Sequence, residues 1–168
     1  MGGMVSGIAA ATAPDLYRTW VASFPAVNAP GAWALFTALG LKDREELEQD
    51  VGCSFPDCPE EYVARSPSLM ADRMRVHRAI LLHAATDSTS PYEQSREMQA
   101  ALLSARIPVS FYSFLTTGPA ALPPTFAGHG RGAVADEAFA VVERVLAGSE
   151  PDALPDYEYV VDGTLGRI

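Results

Sequence analysis

The sequence predicts an α/β protein: three layers, α/β/α, built on a parallel sheet. Three observations predict it. Strand-like runs alternate along the chain with stretches of helical periodicity, the pattern of a parallel sheet with crossover helices. The run Ala-Ile-Leu-Leu-His at residues 79–83 is apolar without alternation, as expected of a strand covered on both faces. The polar groups most suited to chemistry follow strands, at the edge where open α/β sheets gather their functional groups. About three strands are clear, a small sheet for this architecture, so part of the fold is expected to lie outside this chain.

The elements follow in order. Residues 1–13 are rich in Gly and Ala and read as a close-packed helix, ended by Pro14 and Asp15. Residues 18–24 (Arg-Thr-Trp-Val-Ala-Ser-Phe) are β-branched and aromatic and read as a short buried strand, stopped by Pro25. Residues 32–39 form a helical patch carrying Trp33, Leu35, Phe36 and Leu39, and Trp20 and Trp33 are read as core. Residues 42–50 are acidic and read as a solvated helix face. A loop at 52–59 holds Cys53 and Cys58; two free thiols are the simpler reading, a small-loop disulfide the alternative. The strand at 79–83 follows. Pro91 then opens a helix over 92–106, with Met98, Ala101, Leu102 and Ala105 on one stripe. Residues 109–114 alternate Val, Phe, Tyr and Phe with Ser and read as the next strand. A Pro- and Gly-rich loop leads to a helix over 132–147 with Ala133, Phe139, Val142 and Val145 among its apolar positions. The division is one partial catalytic-type domain, 1–150, and a tail, 151–168, in which 157–161 could add a short strand.

Composition removes several function classes. The chain has 168 residues, 48% of them hydrophobic and 20% charged, enough for one domain with a buried core. A net charge of −9 gives no basic footprint for a phosphate backbone or an anionic membrane surface. No apolar run approaches the roughly 20 residues that cross a bilayer. Two sulfurs with no histidine nearby do not make a zinc site, and no motif calls for a cofactor. No Gly-x-Gly-x-x-Gly or P-loop follows a strand, which argues against a nucleotide-binding domain.

Asp87 and His129 are the candidate catalytic residues. Asp87 lies just past the strand 79–83, and His129 lies in Gly128-His129-Gly130 after the strand 109–114. A carboxylate bonded to one ring nitrogen fixes the histidine tautomer and stabilises the imidazolium, so that the other nitrogen can take a proton from a hydroxyl nucleophile. An Asp after a strand is also a common turn former, and that reading is weighed against the first. His83 reads as a strand-end histidine satisfying local backbone, His77 as a surface residue, and Tyr92 and Tyr112 as packing residues.

At these residues the sequence resembles a family. The stretch Leu81-Leu82-His83-Ala84-Ala85-Thr86-Asp87-Ser88-Thr89-Ser90-Pro91-Tyr92-Glu93-Gln94-Ser95 is similar to the strand, acid turn and helix start of prolyl-oligopeptidase-like serine hydrolases and related esterases. Glu61-Tyr62-Val63-Ala64-Arg65-Ser66-Pro67 resembles the segment that precedes that strand, and Gly128-His129-Gly130 the histidine loop. The order acid then histidine also agrees with α/β-hydrolases. The resemblance covers roughly residues 1–147. It departs at Ala84, where Gly is usual, and in a longer Pro-rich loop before His129. It implies the C-terminal part of an α/β-hydrolase fold, with Asp87 and His129 as acid and base of a Ser-Asp-His triad acting on a peptide or ester substrate.

The same resemblance makes the N-terminus informative. The family elbow reads Gly-x-Ser-x-Gly, often Ser-Met-Gly-Gly, and this chain begins Met1-Gly2-Gly3-Met4, as if cut after the serine. Ser6 is a poor substitute, since Met4 and Ile8 stand where the motif needs glycines. The expectation is a serine-hydrolase catalytic-domain fragment without its nucleophile; a non-catalytic α/β-hydrolase-like interaction protein is the alternative. The strand that leads into the elbow would pair beside 18–24, so its loss would leave an unprotected edge and favour self-association or a missing N-terminal half. Such a start hides any targeting segment, and the cytoplasm is the default expectation.

Overall fold

The computed structural model describes residues 2–85, 87, 89–117, 129, 132–150 and 156–162. Its elements are α1 (Gly2–Thr12), β1 (Thr19–Ser23), α2 (Ala29–Leu39), α3 (Asp43–Val51), α4 (Pro59–Ala64), a 3₁₀ segment (Pro67–Arg73), β2 (Arg78–Ala84), α5 (Tyr92–Ser104), β3 (Val109–Thr117), α6 (Gly132–Leu146) and β4 (Asp156–Asp162). Among the described residues the strands form one sheet in the order β1-β2-β3-β4. Every neighbouring pair is parallel, with Val21 opposite Ile80 and Leu81 opposite Phe111. The strand read at 157–161, within the stretch assigned to the tail, is β4, paired along β3.

Alternation in β2 and β3 divides the core between the two faces of the sheet. Ala79, Leu81, Val109 and Phe111 pack with Trp20, Met98 and Leu102 on the side covered by α1 and α5. Ile80, Leu82, Ala84, Tyr112 and Phe114 pack with Ala138 and Val141 of α6 on the other. Ile80, Leu81 and Leu82 are fully buried, which for an aliphatic side chain is worth about 1.5–3 kcal/mol each. The continuous apolar run is thus the signature of a strand buried on both faces.

The helix α1 reaches the sheet because it is made of small residues. A Cβ on Gly7 would stand 2.8 Å from the Pro67 ring and 3.0 Å from the Trp20 ring. Asn28 caps α2 by accepting from the Gly31 N–H at 2.9 Å, and Gly40, at φ +65°, ends it in the left-handed conformation that glycine adopts without a Cβ penalty. The acidic helix α3 buries none of its residues.

Two expectations change here. Cys53 and Cys58 form a disulfide, not two free thiols. They sit in a small satellite cluster with Ala29, Phe55 and Tyr62, where the loop turns tightly enough to bring the two sulfurs together. Trp33 packs on that cluster and is only half-buried, its indole N–H donating to Glu48 at 2.8 Å, so it lies outside the sheet core.

Candidate active site

Asp87 lies just beyond the carboxyl end of β2, and His129 follows β3 along the chain. The chain leaves β2 at Ala84 and turns, with the Asp87 N–H donating to the Ala84 carbonyl at 3.1 Å. Asp87 Oδ1 then accepts from the backbone N–H groups of Thr89 at 2.8 Å and Ser90 at 3.0 Å. This is an Asx-type turn, so the turn-forming role of Asp87 is real. It leaves the other carboxylate oxygen to act elsewhere. Asp87 Oδ2 lies 2.9 Å from His129 Nδ1, across a sequence separation of 42 residues. Both sequence-predicted residues are therefore brought together. The glycines flanking His129 and the Pro-rich loop before it lie outside the described residues, as does Met1.

Burial separates the two partners. The Asp87 side chain is fully buried, whereas that of His129 is 37% exposed. Burial pushes the Asp87 carboxyl up, but hydrogen bonds from His83, the Ser90 N–H, His129 and the Thr89 N–H outweigh it and hold the pKa at about 2, below the ordinary 3.8. An ionised carboxylate only accepts, so His129 Nδ1 carries the proton and Nε2 is left with its lone pair. The arrangement can take a proton at Nε2 and stabilise the resulting imidazolium.

The depressed pKa has a consequence for stability. The folded carboxylate binds fewer protons than the unfolded one between about pH 4 and pH 2, so its contribution is present above that window and lost as pH falls through it. Urea unfolding followed from pH 5 downward will show the stability advantage of the unsubstituted chain over Asp87→Asn shrinking between about pH 4 and pH 2. A difference constant with pH would mean that the carboxylate titrates alike in both states.

Two residues that the sequence did not assign to the site frame the pair. Phe24, just after β1, has φ +52°. A bulky side chain rarely adopts this left-handed backbone, and such strain costs on the order of 1–3 kcal/mol. It places the ring 5.8 Å from that of His83 and 5.6 Å from that of His129. His83, expected only to satisfy local backbone, does bond the Ser90 carbonyl, at 2.9 Å, but also lies 3.2 Å from Asp87 Oδ2. The available signal was a histidine four positions before the acid at a strand end.

Ser6 is occupied away from the pair: its hydroxyl donates to the Gly3 carbonyl and accepts from the Trp20 indole N–H at 3.0 Å. Among the described residues, no serine hydroxyl bonds His129, and no cluster of His, Cys, Asp or Glu is placed to hold a metal ion. A cavity of about 450 Å³ opens beside the acid turn, lined by Met4, Ile8, Phe36 and Leu47 together with Thr89 and Ser90.

A parallel sheet with flanking helices and an acid–histidine pair beyond its strands is an α/β-hydrolase arrangement. Residues 1–120 match the prolyl oligopeptidase family, Peptidase_S9, and the chain belongs to that family. Among solved structures, a puromycin hydrolase shares 27% identity over 90% of this chain and 22% of its own, with a TM-score of 0.61. A puromycin-hydrolyzing peptidase of Mycobacterium tuberculosis shares 22% identity over 92% of this chain and 22% of its own, with a TM-score of 0.63. An acylaminoacyl peptidase shares 17% identity over 92% of this chain and 23% of its own, with a TM-score of 0.59. The last two likenesses speak for the fold alone. The chain spans about a fifth of the length of these structures. No curated protein matches it.

Proposed function

We propose that this chain supplies the acid and the base of a Ser-Asp-His hydrolase acting on peptide or ester bonds, and that the nucleophile is none of its own serines. The observation that carries this is the 2.9 Å bond between a buried carboxylate and a partly exposed imidazole at neighbouring strand ends. In the reaction, His129 Nε2 takes the proton of a serine hydroxyl as it attacks the carbonyl, then gives it to the leaving group. Asp87 keeps the ring in the required tautomer and stabilises its charged form. A backbone N–H after the serine stabilises the oxyanion. The apolar cavity beside Thr89 and Ser90 takes an apolar part of the substrate. The likeness to a puromycin hydrolase supports a hydrolytic reaction.

The serine is sought in a Gly-x-Ser segment of the natural protein, because no serine hydroxyl among the described residues bonds His129. A fluorophosphonate probe applied to the natural protein from its source, followed by peptide mapping, is the test. Labelling at such a serine, with none on isolated residues 1–168, is expected. Labelling at Ser6 would reassign the nucleophile, and no labelling of the natural protein would favour a non-catalytic relative.

A further inference from the structure

His83 is a polar ring where the strand pattern calls for an apolar one. It lies in β2, its side chain fully buried, on the strand face that carries Ala79 and Leu81. Burying an imidazole without partners is costly, and every polar atom of this one has a partner. Nδ1 lies 2.7 Å from the Ser95 hydroxyl of α5, and Nε2 lies 2.9 Å from the Ser90 carbonyl and 3.2 Å from Asp87 Oδ2. A carbonyl and a carboxylate only accept. Nε2 therefore carries the proton, and Nδ1 accepts from the Ser95 O–H. The ring is enclosed by Phe24 and Tyr92, each with its centroid 5.8 Å away.

Two histidines thus share one carboxylate oxygen. We propose that His83 is a positioning residue for the Asp87–His129 pair: its Nε2–H, shared between the Ser90 carbonyl and Asp87 Oδ2, holds that oxygen toward His129 and limits how strongly the carboxylate draws on the His129 ring. The second part follows from charge. A donor on Oδ2 neutralises part of the negative charge that would otherwise stabilise the His129 imidazolium. A base that must return its proton to a leaving group gains from not being too basic.

Few other groups face this cluster among the described residues. The Tyr92 hydroxyl bonds the Ser113 hydroxyl at 2.6 Å. Arg96 lies over the Tyr92 and Phe111 rings, one ring removed from His83. The turn after β1 presents the apolar ring of Phe24.

The inference rests on the acid–base reading of the pair, and the test keeps the two apart. Residues 1–168, with ¹⁵N-labelled histidine, are titrated by NMR, and His83 is expected in the neutral Nε2–H form. Replacing it by leucine removes the donor and is expected to raise the His129 midpoint. His83→Gln, whose amide can donate to the same acceptors, is expected to restore the original midpoint. Ser95→Ala, which keeps the ring but removes the hydroxyl that anchors Nδ1, is expected to shift it in the same direction by less, and decides alone if His83→Leu does not fold. The opposite tautomer, or a His129 midpoint that stays or falls in these variants, overturns the role of His83. Asp87→Asn is the separate control: if it leaves His129 unmoved, the pair itself is not coupled; if it moves His129 while the His83 and Ser95 variants do not, only the role of His83 fails.

Discussion

His129→Ala, in the enzyme that unites residues 1–168 with its serine, will lower hydrolysis of a peptide or activated ester by about ten-thousandfold to a millionfold. In the proposed reaction the base makes its decisive contribution in the transition state, when the hydroxyl proton arrives on Nε2, so kcat and kcat/KM should fall together. Folding should change little. The side chain is 37% exposed, and among the described residues it meets the Asp87 carboxylate and the Phe24 ring. Thermal unfolding within a few degrees of the unsubstituted enzyme, beside this loss of rate, is the expected pair of results. Activity retained within tenfold would remove His129 from the chemistry.

Asp87→Asn is the second large effect, a loss of about ten-thousandfold in kcat. The local geometry says how the amide will sit. The Thr89 and Ser90 N–H groups need an acceptor, so the amide oxygen takes the place of Oδ1. The amide nitrogen then faces both rings. It donates to His129 Nδ1, which moves the His129 proton to Nε2 and removes the base. It also meets the N–H of His83 Nε2, donor against donor, and that contact opens. Asp87→Ala instead leaves the turn N–H groups without their acceptor, so it is expected to destabilise the acid turn as well as the reaction. Comparing the two by pH–rate profile and urea unfolding separates the tautomer effect from the turn effect.

Much of this was legible in the sequence, for identifiable reasons. The run at 79–83 lacks alternation because Leu81 and Leu82 face two different cores, and periodicity reports that directly. The meeting of Asp87 and His129 was legible because both follow strands of a parallel sheet, where functional groups gather. What escaped were contacts between segments distant along the chain. Gln94 is one: from α5 it accepts the backbone N–H groups of Val27 and Asn28 and so ties down the chain after β1. Its neighbour Ser95 bonds His83 Nδ1 at 2.7 Å, so the Gln-Ser pair at the helix start holds two different segments. Nothing local to Gln94 or Ser95 announces these partners. The disulfide escaped because two cysteines in a short loop satisfy either redox state, and the choice depends on the turn that α4 and the Tyr62 hydroxyl impose, the latter bonding the Cys53 carbonyl at 2.8 Å. The left-handed Phe24 escaped because residues 18–24 read as one strand, whereas the strand stops at Ser23 and the next residue turns its ring toward the histidines.

If Asp87 acts on the reaction through His129, the two residues form one unit and their losses do not multiply. The measurement is kcat/KM for the serine-bearing enzyme, for His129→Ala, for Asp87→Asn and for the double substitution. The expected result is a double variant no slower than His129→Ala alone, within about threefold. A double variant slower than His129→Ala by the full factor that Asp87→Asn costs by itself would mean that the carboxylate and the imidazole work independently, and that the 2.9 Å bond between them is not the acid–base pair of the enzyme.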